Sequence, residues 1–198
     1  MIKVWDPFIR FFHWALVIGF AIAYLTEDVL TVHVWAGYLI GSLLLIRLIW
    51  GVVGPHHARF GDFIYSPRMV LTYLRDLPLS RARRYLGHSP AGGAMVIALL
   101  IALSATVVTG LIVYAESERA GPLSPFLASR PVVPPPSDGQ GQSRRRGPGS
   151  EMREVHEVMA NLTLALIFLH IAGVLLASFV HRENLAWSMV TGRKRDES

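Results

Sequence analysis

Four long apolar runs, at 7–26, 32–54, 94–114 and 155–180, constrain this chain more than any other feature. About 20 helical residues cross the hydrocarbon core of a bilayer, and each run is of that order. Lipid offers backbone amides no hydrogen-bond partners, so runs of this kind must be helices. The expected fold class is therefore an all-α integral membrane protein, a four-transmembrane-helix bundle. Composition agrees, with 52% apolar residues against 17% charged and a mean hydropathy of +0.41, outside the soluble balance. A single membrane domain over 1–198 is expected, with no internal repeat and no separate soluble domain. The first run is not read as a cleavable signal, because it has no small-residue cleavage site and is interrupted by Arg10 and His13.

The net charge of +5 sits in connections between apolar runs rather than on a soluble face, which argues for topology and against nucleic acid. Lys3 and Arg10, the connection 55–93 with Arg59, Arg68, Arg75, Arg81, Arg83 and Arg84, and the tail with Arg182, Arg193, Lys194 and Arg195 mark the cytoplasmic side. Both termini are thus expected in the cytoplasm. The first outer connection has Glu27 and Asp28 but no basic residue. The outer connection 115–150 carries Arg119, Arg130 and Arg144-Arg145-Arg146, against the rule, but long connections count for less in it. This segment holds 7 of the 12 prolines and 5 of the 17 glycines, so we expect no regular structure there and a role as tether or docking segment. In the inner connection, Pro67 through Arg75 has a proline start and helical apolar spacing, which predicts a short interfacial helix. Trp5, Trp14, Trp50 and Tyr114 read as interfacial anchors.

Titratable side chains within a span are costly and mark function. The third run has no charged residue and no histidine, whereas the other three carry His13, His33 with Arg47, and His156 with His170. His156 and His170 are 14 residues apart, or about 21 Å along a helix and just under four turns, so they share nearly one face at two depths. With His33 at the outer start of the second run and His13 about two turns inside the first, heights pair His33 with His156 and His13 with His170.

Structural zinc needs four convergent ligands; two imidazoles at each of two depths suit six-coordinate haem instead. The absence of cysteine excludes disulfides, iron–sulfur clusters and covalent haem attachment, so any haem is held noncovalently. Gly37 and Gly41 follow His33 at i+4 and i+8 and leave a stripe without side-chain bulk, against which a porphyrin edge or a neighbouring helix can lie. Arg47, 14 residues after His33, reaches the depth of the inner pair and suits a haem propionate, unless it snorkels to the inner surface. His88, in Gly87-His88-Ser89-Pro90, can reach a propionate or a quinone. His56, His57 and His181 read as surface or capping residues, and Arg10 as a topology charge.

These residues resemble the bacterial cytochrome b561 group, which includes the cytochrome b subunits of nickel–iron hydrogenases. The likeness lies in Asp6-Pro7 with Arg10-Phe11-Phe12-His13-Trp14, in His33 with Gly37, and in Arg47-Leu48-Ile49-Trp50-Gly51 leading to Gly54 and Ala58-Arg59-Phe60. It continues in Gly87-His88-Ser89-Pro90, Glu154-Val155-His156-Glu157 with His170, and the tail from Glu183 to Arg195. It covers nearly the whole chain, and its motifs are specific in combination. Ser89 departs from the Asn common in that group, and 115–150 is longer than in compact members. The resemblance implies a four-helix cytochrome with two haem b groups, His13/His170 inner and His33/His156 outer, exchanging electrons with ubiquinone or menaquinone.

The expected function is transmembrane electron transfer between a quinone/quinol pool and a redox partner. His88 and Glu157 are candidates for quinone protonation. The partner is a hydrogenase or dehydrogenase subunit or a periplasmic c-type cytochrome; acting alone, the chain would be a superoxide:quinone oxidoreductase. A more distant alternative is a histidine-based metal transporter, against which stands the lack of any aspartate or glutamate deep in a span.

Overall fold

The computed structural model of the chain describes residues 2–127 and 149–195. Four long helices dominate it: α1 (Pro7–Leu25), α2 (Leu30–Val53), α4 (Pro90–Ser117) and α6 (Ser150–Val180), all long and apolar enough to span a membrane. Shorter pieces connect them: a 3-10 turn (Phe60–Asp62), α3 (Pro67–Asp76), α5 (Ser124–Leu127) and α7 (Leu185–Thr191). A two-residue strand at each end, β1 (Ile2–Lys3) and β2 (Arg193–Lys194), pairs antiparallel with Ile2 opposite Lys194. The two ends of the described chain therefore meet.

Local chemistry sets the helix starts. Asp6 accepts the amides of Phe8 and Ile9 at 2.9 and 3.1 Å, with Pro7 in the first turn, satisfying donors that have no intrahelical partner. Ser66 caps α3 in the same way, ahead of Pro67. Ser89 Oγ accepts the Gly92 amide at 3.2 Å at the start of α4. That cap lets α4 begin four residues before the apolar run at 94, since a helix start is fixed by capping rather than by hydropathy. Similarly, α6 begins at Ser150, five residues before its apolar run. Ser150 to Glu154 are polar apart from Met152 but helix-compatible, and Gly149 at φ +77° breaks the chain just before them. In the outer connection α4 runs on to Ser117 and α5 forms a single turn; the rest of the segment expected to be irregular, 128–148, lies outside the described residues.

The contacts divide the chain into two units, Met1–Ile101 with Leu164–Ser198, and Ala102–Thr163. In the first, α1 packs on α2. Gly19 permits the approach, because a Cβ there would lie 3.3 Å from Ile40 Cγ1. Near the chain ends, Val4, Trp5, Ile9 and Ala58 form a core with Phe8, Trp50 and Met189 against it. Trp5 is only 5% exposed, which corrects its reading as an interfacial anchor; the Trp5 and Val4 amides both donate to Gly192 O, drawing the ring inward. Arg10 is likewise more than a topology charge, since its Nη2 donates to Val190 O and ties α1 to the end of α7. Lys194 is 5% exposed, with its ammonium donating to Tyr85 O and Gly87 O and lying 5.5 Å from the Trp5 ring. Arg84 makes a two-armed bond to Glu183 at 3.0 and 3.2 Å, so the connection after α3, the end of α6 and the tail are joined by charge.

In the second unit, Thr163 is fully buried; its hydroxyl donates to Met159 O and lies 3.1 Å from the Thr106 hydroxyl. Two polar residues in an apolar setting are thereby mutually satisfied.

Candidate functional site

His13 is on α1 and His170 on α6, within the first unit. Their ring centroids are 6.5 Å apart with the planes inclined at 57°. Imidazoles bound on opposite sides of one metal at about 2.0 Å place their ring centres about 6.3 Å apart. The separation therefore matches two axial ligands of a single iron. His13 Nδ1 is buried without a hydrogen bond.

Arg47, on α2, is 3% exposed, so it does not snorkel. Its Nη2 donates to Ala58 O at 3.1 Å, its guanidinium lies 4.9 Å from the centre of the Phe60 ring, and its Nη1 is buried without a partner. A buried, half-satisfied guanidinium needs an acceptor. A carboxylate from a bound group supplies one, so these residues fit haem on two counts: paired imidazoles and a buried guanidinium with an unpartnered donor.

His88 packs between Trp5 and Phe63, with ring centroids 4.7 and 4.4 Å away. Its carbonyl accepts the Tyr65 hydroxyl at 3.1 Å, while its Nδ1 is buried and unpartnered. Burial, assisted by the charges of Arg47 and Lys194, pushes its pKa down from 6.5 to about 3, so the imidazole is neutral at physiological pH. Gly93 brings the loop close, since a Cβ there would lie 2.2 Å from Phe63 O. Burial also lowers His181, whose Nε2 is 3.2 Å from the Tyr73 hydroxyl. His57 is lowered by burial and by its neighbour His56.

His33 stands near the start of α2 and its Nδ1 donates to Ala23 O at 2.8 Å. A carbonyl only accepts, so the proton is on Nδ1 and the lone pair on Nε2, the arrangement of a metal-binding histidine whose second nitrogen is anchored. Gly37, one turn on, would meet nothing within 4 Å if it carried a Cβ; Gly41 follows a turn later on the same helix.

His156 repeats that pattern in the second unit. Its Nδ1 donates to Thr106 O at 3.0 Å and lies 3.1 Å from the Thr109 hydroxyl, leaving the lone pair on Nε2. The ring sits against Gly110 of α4. These α4 residues add to what the sequence indicated, since the third run has no charged residue and no histidine to mark it. The available signal was two threonines and a glycine close together, at 106, 109 and 110, in a largely apolar helix. Among the described residues no three histidine, aspartate or glutamate side chains converge as a metal site of higher protein coordination needs.

The family described as prokaryotic cytochrome b561 has a model that matches residues 4–192. The chain is also similar to a probable Ni/Fe-hydrogenase B-type cytochrome subunit of Azotobacter chroococcum mcd 1, being 26% identical over 182 residues, which covers 85% of this chain and 69% of that relative. No solved structure matches the chain significantly. With four membrane-spanning helices and the family match over nearly its whole length, the chain belongs to the prokaryotic cytochrome b561 family and is a multi-pass membrane b-type cytochrome of electron transport.

Proposed function

We propose that the chain holds two haem b groups, one between His13 and His170 and one between His33 and His156. It carries electrons across a bacterial inner membrane between a ubiquinone or menaquinone pool and a redox partner. The observation that carries this reading is the 6.5 Å separation of the His13 and His170 rings, with Arg47 unmatched beside the same elements. The second pair rests on the positions of His33 and His156 along their helices and on the Nδ1 anchoring of each.

When bound, haem b would supply one-electron exchange, with His13 and His170, and His33 and His156, as the residues that would hold it. The chain's own residues do the rest. Ala23 O and Thr106 O fix the tautomers of His33 and His156 and raise their basicity. Arg47 offers a cation for a carboxylate at the inner pair, and Gly37 and Gly41 leave space along α2. Neutral His88 holds a proton-bearing ring near that pair and, with Glu157, is a candidate for proton exchange with quinone. On the charge pattern of the connections, both termini face the cytoplasm.

The partner is read from the hydrogenase relative: the chain is a quinone-coupling subunit of a hydrogenase or dehydrogenase complex, rather than a donor to a periplasmic c-type cytochrome or a superoxide:quinone oxidoreductase. Pyridine haemochrome analysis of the purified protein tests the core of this reading and should give about two b haems per chain. A single haem, or colourless protein that binds zinc, overturns it.

A further inference from the structure

The three faces of α3 differ in chemistry. Val70, Tyr73 and, just beyond the helix, Leu77 turn toward the protein; Tyr73 and Leu77 are buried, and the Tyr73 hydroxyl meets His181 at the end of α6. Pro67, Leu71 and Leu74 form a second face, on which Leu71 is 67% and Leu74 51% exposed. Arg68, Thr72 and Arg75 form the third, all exposed. Successive residues turn by about 100°, so these three sets occupy separate sectors of the helix.

Water is a poor neighbour for the second face and acyl chains are a poor neighbour for the third. A helix lying in the headgroup boundary satisfies both. Ile64, just before α3, and Leu79, just after it, extend the apolar sector and are exposed. Arg59, Arg81 and Arg83 are exposed on the flanking segments, and among the described residues none of these five arginines has an acidic side chain within ion-pair distance. The nearby Arg84, by contrast, is matched by Glu183. Unmatched cations beside a lipid-facing leucine stripe call for anions at the membrane surface.

We propose that α3 is a binding site for anionic phospholipid, with Leu71 and Leu74 in the acyl boundary and the Arg68 and Arg75 guanidiniums on the acidic headgroups. Tyr73 pins the helix to the protein, so lipid held here bears on the region of His88 and the chain ends. The inference needs only the membrane-spanning fold and is independent of the number of haems.

The chain has no cysteine, so a nitroxide can be placed at one position of the full-length protein in nanodiscs. Labels at Leu71→Cys and Leu74→Cys are expected to be accessible to oxygen and shielded from a water-soluble nickel chelate, with the reverse at Thr72→Cys. Spin-labelled phosphatidylglycerol is expected to associate about five-fold more than phosphatidylcholine, a preference that falls toward unity in Arg68→Gln/Arg75→Gln and in high salt. Water-exposed labels at both leucine positions overturn the proposal, as does a phosphatidylglycerol preference unchanged in the double variant. An acidic protein covering both the leucines and the arginines in place of lipid would also overturn it.

Discussion

A Cβ on Gly110 would lie 2.9 Å from Cε1 of His156, so the imidazole occupies the space that a side chain on α4 would take. The same ring is held through its Nδ1 by Thr106 O. Position and tautomer of this histidine are thus both set by α4, the one long helix without a histidine among the described residues.

Gly110→Ala should therefore leave the fold largely intact and damage the cofactor. The clashing atom belongs to a side chain that can turn away, so the cost in stability should be about 1 kcal/mol or less. Turning away removes the Nδ1 bond to Thr106 O, and losing the anchor of a ligating imidazole weakens ligation about 10–100-fold. The check is haem stoichiometry beside the thermal midpoint. Full haem content and an unchanged spectrum in Gly110→Ala would show that the seat is not needed.

The pairing of histidines makes a prediction by component. His13→Ala and His170→Ala should each abolish the same α-band contribution in the reduced spectrum, whereas His33→Ala and His156→Ala should abolish the other. Low-temperature difference spectra resolve the two. Loss patterns that cross these pairs would show that the heights along the helices have been assigned to the wrong partners.

Arg47→Gln removes a buried positive charge that the proposed function places at the inner haem. Positive charge favours the reduced iron, so the midpoint potential of the component lost in His13→Ala should fall, by about 60 mV if the charge is worth about 1.4 kcal/mol. Redox titration of both components makes the comparison internal. Equal shifts, or none, would separate Arg47 from that site.

His88 gives the fold a dependence on pH. Its pKa is near 3 in the folded chain against 6.5 for the free side chain, through burial and the charges of Arg47 and Lys194. Between these values the unfolded chain binds more protons, so the stabilisation is complete above 6.5 and is lost as pH falls toward 3. The expected slope is about 1.4 kcal/mol per pH unit from this residue. His88→Gln should flatten the fall in unfolding free energy between pH 6.5 and 5. An identical slope in the variant would mean that other histidines, such as His57 or His181, carry the effect.

The four spans were legible because hydropathy and length suffice for them, and the histidines stood out because a titratable group in lipid is rare. The approach of His13 to His170 also followed from counting turns. What escaped were contacts whose signal is spread over distant, chemically ordinary residues. Nothing near Trp5 announces that Gly192 will accept its amide, and nothing near Arg10 announces Val190. Thr106, Thr109 and Gly110 read as packing residues until His156 is laid against them. Helix limits at Pro90 and Ser150 also differed from the apolar runs, because caps and charged first turns extend helices past the point where oiliness ends.

The short ladder between Ile2 and Lys194 carries a lesson about biogenesis. Ile2 and Lys3 find their partners only after all four spans have been delivered to the bilayer. Closure of that seam thus follows insertion of the fourth span, and a nascent chain stalled before Val190 would leave Trp5 with no roof and Arg10 with no latch.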